Sequence, residues 1–135
     1  MSIEKKSLPE EKIRLQLIEF MKNELFYPKE MISVERSLSS FPHLRGMKVP
    51  NRRFDIAVFG GKETCPLLVV ECKAINITEK AVDQVIGYNH FVKAPFLALA
   101  NGKEVKTLVK SGNEYTEIKG LPVYQVLLEA LNEID

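Results

Sequence analysis

Apolar residues recur every four positions at Ile13, Leu17, Met21 and Leu25, the repeat of one face of an amphipathic helix. Just ahead of them, Ser7-Leu8-Pro9-Glu10 has the spacing of a capping box with an early proline, so the pattern predicts a first helix over about 8–26. Beyond the break at Tyr27-Pro28 the period shortens to two. Met31-Ile32-Ser33-Val34-Glu35-Arg36-Ser37-Leu38 alternates and predicts a strand, and residues 39–53 lose both periods and are expected to form a loop. Two β-rich runs follow, Phe54 to Phe59 and Pro66 to Ile75, separated by the turn sequence Gly60-Gly61-Lys62-Glu63-Thr64; together they predict a hairpin. Thr78 can cap a helix from Glu79 to about Val92, and Pro95 to Ala100 reads as a short buried strand ended by Asn101-Gly102. The remainder predicts a small hairpin, Lys106 to Lys110 and Tyr115 to Ile118 around Ser111-Gly112-Asn113, and a helix starting near Pro122. The order α-β-β-β-α-β plus a tail points to an α/β fold of the α+β kind.

Length and composition narrow this picture without naming a function. A chain of 135 residues, 45% hydrophobic and 27% charged, is the size of one domain spanning 1–135 and can bury a core. The net charge of +1 is far from the excess that announces a nucleic-acid binder. The basic residues are nevertheless concentrated: residues 39–53 hold His43, Arg45, Lys48, Arg52 and Arg53 and no acid. Two cysteines, Cys65 and Cys72, match neither a disulfide framework nor a zinc or redox spacing, so reduced thiols are expected. No secretory segment or membrane-length apolar run is present, which predicts a cytoplasmic, soluble protein with no membrane partner. Neither a phosphate-binding Gly-rich loop with Lys-Ser/Thr nor Gly-x-Gly-x-x-Gly occurs, so no nucleotide cofactor is expected on this chain.

Charged residues inside strands are the chemically informative feature. In Leu67-Leu68-Val69-Val70-Glu71-Cys72-Lys73-Ala74-Ile75, a carboxylate and an ammonium interrupt a buried-strand composition, and period-two alternation puts Glu71 and Lys73 on one face. Burying them costs several kcal/mol each unless they are paired or bound to an ion. A mutually satisfied ion pair at a strand end is one explanation. Asp55 supplies another, because it too is a lone acid in a strand, Arg53-Phe54-Asp55-Ile56-Ala57-Val58-Phe59. Two neighbouring carboxylates repel, and a hard divalent cation relieves that repulsion by taking oxygens from both. A lysine beside such an ion can orient or deprotonate an attacking water, the chemistry of phosphodiester hydrolysis. On the following helix, Gln84 and Tyr88 lie one turn apart and roughly share a face with Ala81, Val85 and Val92, a face expected to pack on the sheet. Both residues also have an ordinary reading, as a surface amide and a core tyrosine.

Asp55, Glu71-Cys72-Lys73 and Gln84-x-x-x-Tyr88 together resemble the PD-(D/E)XK nuclease superfamily in its Gln-x-x-x-Tyr branch. The chain is most similar to the N-terminal nuclease domain of type I restriction enzyme R proteins, in Arg53 to Phe59, Leu68 to Ala74, Asp83 to Asn89 and Ala94 to Gly102. The resemblance implies a restriction-endonuclease-like αβββαβ core, with a mixed four-stranded sheet flanked by helices, followed here by the C-terminal hairpin and helix. It implies Asp55 and Glu71 as ligands of Mg²⁺, for which Mn²⁺ can substitute, with the Cys72 carbonyl as a further ligand and Lys73 as the catalytic lysine. Gln84 would support catalysis and Tyr88 would contact DNA. Phe54 stands where the superfamily usually has proline. Members often add a glutamate from the first helix. Glu10 is claimed by the cap, Glu19 points away from the face of Leu25 and Ile18, and Glu11 borders it, so Glu11 is the choice; its alternative is a solvated first-turn acid favouring the helix dipole.

The expected function is therefore a metal-dependent DNA endonuclease of the restriction type, with Arg45, Lys48, Arg52 and Arg53 on the phosphate backbone. Type I R proteins also carry an ATP-driven motor, which these residues do not include, so a homodimer or other restriction-system subunits are the expected protein partners. A catalytically silent DNA-binding or assembly module is the rival reading, and a domain acting on another phosphoester is a third.

Overall fold

The computed structural model describes residues 9–134, with side chains through residue 131. The expected capping role of Ser7 lies outside the described residues. Helix α1 (Pro9–Glu24) carries Glu10 and Glu11 in its first turn and Lys22 in its last, both favourable to the helix dipole, and buries Leu17 and Met21. Strands β1 (Ile32–Ser37), β2 (Arg53–Gly60) and β3 (Cys65–Cys72) form an antiparallel meander. Helix α2 (Glu79–Val92) then crosses over to β4 (Phe96–Ala100), which pairs parallel to β3. Thr78 caps α2 as predicted, its hydroxyl accepting the Ala81 N–H at 3.1 Å. Strands β5 (Val105–Ser111) and β6 (Glu114–Lys119) turn through Gly112, whose φ is +65°, and α3 (Tyr124–Ile134) ends the described chain.

The sheet has six strands in the order β1-β2-β3-β4-β5-β6, not the expected four. The C-terminal hairpin is the reason: β5 pairs antiparallel with β4 from Phe96↔Val109 to Ala100↔Val105. All five residues of β4 are buried, so its second edge needs backbone partners inside the protein, and β5 supplies them. β3 ends at Cys72, short of the expected Ile75, which is 73% exposed. The segment expected as loop contains two short 3-10 turns, Leu38–Ser40 and Pro42–Leu44.

Two cores sandwich the sheet. One packs Leu17, Met21 and Leu127 of α1 and α3 on Ile56, Val58, Leu68, Val70 and Cys72. The other packs Val85 and Val92 of α2, together with Leu38, Phe41 and Leu44, on Ala57, Phe59, Val69, Leu97 and Leu99. Central strands covered on both faces explain why β3 and β4 read as continuous apolar runs rather than alternating ones.

Candidate active site

Asp55 lies where two strands part. The β2–β3 ladder runs from Gly60↔Cys65 to Ile56↔Val70 and extends no further toward the start of β2. β3 instead continues beside β4, through Glu71↔Leu99 and Cys72↔Ala100, and the Lys73 N–H reaches the Ala100 carbonyl at 2.8 Å. In the fork, the Cys72 N–H donates to Asp55 Oδ2 at 2.6 Å, so a carboxylate takes the place of a ladder carbonyl. Glu71 sits at the edge of the fork between Val70 and Cys72 of the α1-side core, and the charges that bear on it are those of Asp55, Lys73 and Glu10.

Both acids are raised, and Glu71 senses Asp55. Burial raises the Glu71 carboxyl to about 7 from its ordinary 4.5, helped by the charge of Asp55, by Glu10 and by a hydrogen bond with Asp55, while Lys73 opposes the rise. Asp55 is also raised, first by burial and then by Glu10 and Glu35, against the Cys72 N–H and Arg14. The Cys72 thiol is pushed up to about 12 by burial and by the two acids, which leaves it protonated and unsuited to act as a nucleophile.

Charged residues of α1 and β1 border the pair, and two of them, Arg14 and Glu35, were not singled out from sequence. Glu35 lies in β1 between the pairings Val34↔Ile56 and Arg36↔Phe54, level with Asp55. Its φ of +50° is a left-handed conformation inside a strand, which costs about 1–3 kcal/mol at a non-glycine residue. From there Glu35 Oε2 accepts Arg14 Nη1 at 2.7 Å and Oε1 accepts Arg53 Nη1 at 3.3 Å. Arg14 is nearly buried, with 13% side-chain exposure, and lies 3.7 Å from Glu11. Glu11 is thus placed against Arg14, and the first-turn acid whose charge bears on Asp55, Glu71 and Cys72 is Glu10. Glu10 and Arg14 share one side of α1, and that side faces the start of β2. No local sequence signal separated Arg14 from ordinary helix-surface charges, and the one on Glu10 pointed to a cap. Among the described residues, no three or more His, Cys, Asp or Glu side chains converge as a metal-holding group; the oxygens brought together are those of Asp55 and Glu71.

The basic segment and α2 meet beside this fork. Arg52 Nε donates to the Tyr88 hydroxyl at 2.8 Å, with its guanidinium 6.0 Å from the ring centroid, and Phe54 packs edge-on against Tyr88 at 6.5 Å. Tyr88 therefore holds Arg52, and the guanidinium has its Nη groups left to donate. Arg45, Lys48, Arg52 and Arg53 are exposed, as is Gln84. The face of α2 that packs on the sheet runs through Val85 and Val92, with Tyr88 at its margin and Gln84 off it.

A family model described as type I restriction enzyme R protein N terminus matches residues 9–122. The chain belongs to this family. The match runs from the start of α1 past the end of β6, so the β5–β6 hairpin that widens the sheet lies within the family's region. Membership places the chain among restriction-enzyme components, a nuclease-related role. No curated protein matches the chain at a significant level. Among the described residues, no helix is long and apolar enough to cross a membrane.

Proposed function

We propose that this chain is a metal-dependent DNA endonuclease domain of the restriction type, hydrolysing phosphodiester bonds. The observation that carries the reading is the meeting of Asp55 and Glu71 at the β2–β3 fork, two half-buried carboxyls both raised by burial, Glu71 further by the charge of Asp55. The donor set suits a divalent cation, because two neighbouring carboxyls offer the hard oxygens that Mg²⁺ or Mn²⁺ accepts. Asp55, Glu71 and the Cys72 carbonyl would hold the ion, with Glu10 rather than Glu11 as the outer acid from α1. When bound, the ion would polarise the phosphodiester and stabilise its developing charge.

The protein's own groups supply the rest. Lys73, two residues beyond Glu71 and fixed by its backbone bond to Ala100, orients the attacking water and can take its proton. Gln84, exposed on α2 one turn before Tyr88, hydrogen-bonds the substrate beside the acids. Arg45, Lys48, Arg52 and Arg53 bind the phosphate backbone, with Arg52 aimed by Tyr88. DNA is thus the expected partner, with a second copy or other restriction-system subunits completing specificity, since one small domain offers limited recognition surface.

The test incubates purified protein with plasmid, linear and branched DNA in Mg²⁺ or Mn²⁺, beside Lys73→Ala. Cleavage by the wild type and none by the variant supports the reading. Equal cleavage by both refutes it, because the activity is then a contaminant's. DNA binding with no cleavage by either protein favours the silent assembly module.

A further inference from the structure

Glu35 is the least explained residue of the site. It adopts a left-handed backbone in the middle of a strand, φ +50°, and uses it to set one carboxylate between two arginines, level with Asp55. The two arginines differ. Arg14 is 13% exposed and Arg53 is 65% exposed. The shorter contact, 2.7 Å, goes to buried Arg14, and the longer, 3.3 Å, to exposed Arg53. One oxygen of Glu35 is therefore anchored while the other makes a weak, solvent-facing contact. A carboxylate whose two oxygens accept from guanidinium groups presents the geometry that a phosphodiester also offers.

We propose that Glu35 is a built-in competitor for the nucleic-acid phosphate: it holds Arg53 beside Asp55 until a phosphodiester takes that arginine over, and then remains on Arg14. This deepens, and rests on, the reading of the chain as a DNA-cleaving domain. The exchange breaks only the exposed contact, so its cost is that of a surface ion pair, and the anchored half keeps β1 in place against α1. Arg53 is thereby ordered in the free protein without being consumed by a buried bond. The acid also disfavours anions that cannot replace it, because an approaching ligand must outcompete a carboxylate already in position.

The test is a double-mutant cycle on duplex DNA affinity, read by fluorescence anisotropy of a labelled oligonucleotide in EDTA so that no strand is cut. Wild type, Glu35→Gln, Arg53→Ala and the double variant are compared, with Glu63→Gln as a control for loss of one negative charge at a distant turn. Glu35→Asn serves as a second variant that tolerates the positive φ. The expected result is affinity raised about two- to fivefold by Glu35→Gln and by Glu35→Asn, little change for Glu63→Gln, and no gain from Glu35→Gln once Arg53 is alanine. Unchanged or weakened binding by both Glu35 variants overturns the proposal, as does an equal gain in the Arg53→Ala background. If wild type binds duplex and the cycle shows no coupling, this proposal alone fails. If neither wild type nor either Glu35 variant binds, the DNA reading fails with it.

Discussion

Replacing Glu71 by glutamine should stabilise the metal-free protein, and the effect should depend on pH in a defined direction. Burial and Asp55 raise the Glu71 carboxyl from 4.5 to about 7 in the folded state. The native protein then holds this proton more tightly than the unfolded chain, so stability is greatest below about pH 4.5 for this group and falls as pH rises toward 7. A shift of that size at 1.36 kcal/mol per pH unit amounts to about 3 kcal/mol at most by pH 8, and Asp55, raised in the same direction, adds with the same sign. Glu71→Gln keeps the shape and removes the titration. In urea unfolding with EDTA, the variant should match the wild type near pH 4.5 and exceed it by about 2–3 kcal/mol at pH 8, or very roughly 10 °C in Tm for a domain of this size. Adding Mg²⁺ or Mn²⁺ at about 100 times its dissociation constant should return about 2.7 kcal/mol to the wild type and much less to the variant. A flat wild-type profile from pH 5 to 8, with Glu71→Gln destabilised equally throughout, would show that Glu71 is a structural partner of Lys73 and that no strained acid pair exists.

Lys73→Ala should abolish cleavage while isothermal calorimetry still detects divalent-ion binding; lost ion binding would move Lys73 from chemistry to site assembly. Arg45, Lys48 and Arg52 replaced together by alanine should weaken DNA binding and make the salt dependence shallower by about 3 in slope, and an unchanged slope would place the DNA path elsewhere. Gln84→Ala should lower the cleavage rate with stability unchanged within about 0.5 kcal/mol, because the side chain is exposed; marked destabilisation would make Gln84 structural.

Much of this protein was legible as pattern. Period-four apolar spacing found α1, the Thr78 cap found the start of α2 to the residue, and apolar runs found β2, β3 and β4, because these are local or near-local physical signals. Charged residues inside those runs drew attention to Asp55, Glu71 and Lys73, since a charge in a strand that buries both faces demands a compensating reason. The width of the sheet was not legible that way. Lys106 to Lys110 and Tyr115 to Ile118 announce a hairpin, but only the tertiary arrangement shows that the unsatisfied edge of β4 recruits it.

The site divides along the same line. By itself the sequence determined which charged residues interrupt apolar strands and on which elements they sit, because composition and period are properties of neighbours along the chain. Tertiary structure alone decided which charges meet. The fork between β2 and β3 brings Asp55 to the Cys72 N–H, α1 presents Glu10 and Arg14 rather than Glu11 to the acids, Tyr88 takes Arg52, and a left-handed Glu35 bridges Arg14 and Arg53. Each of these contacts joins residues of different elements. Electrostatic energy depends on their separation in space, a distance that no periodicity along the chain encodes.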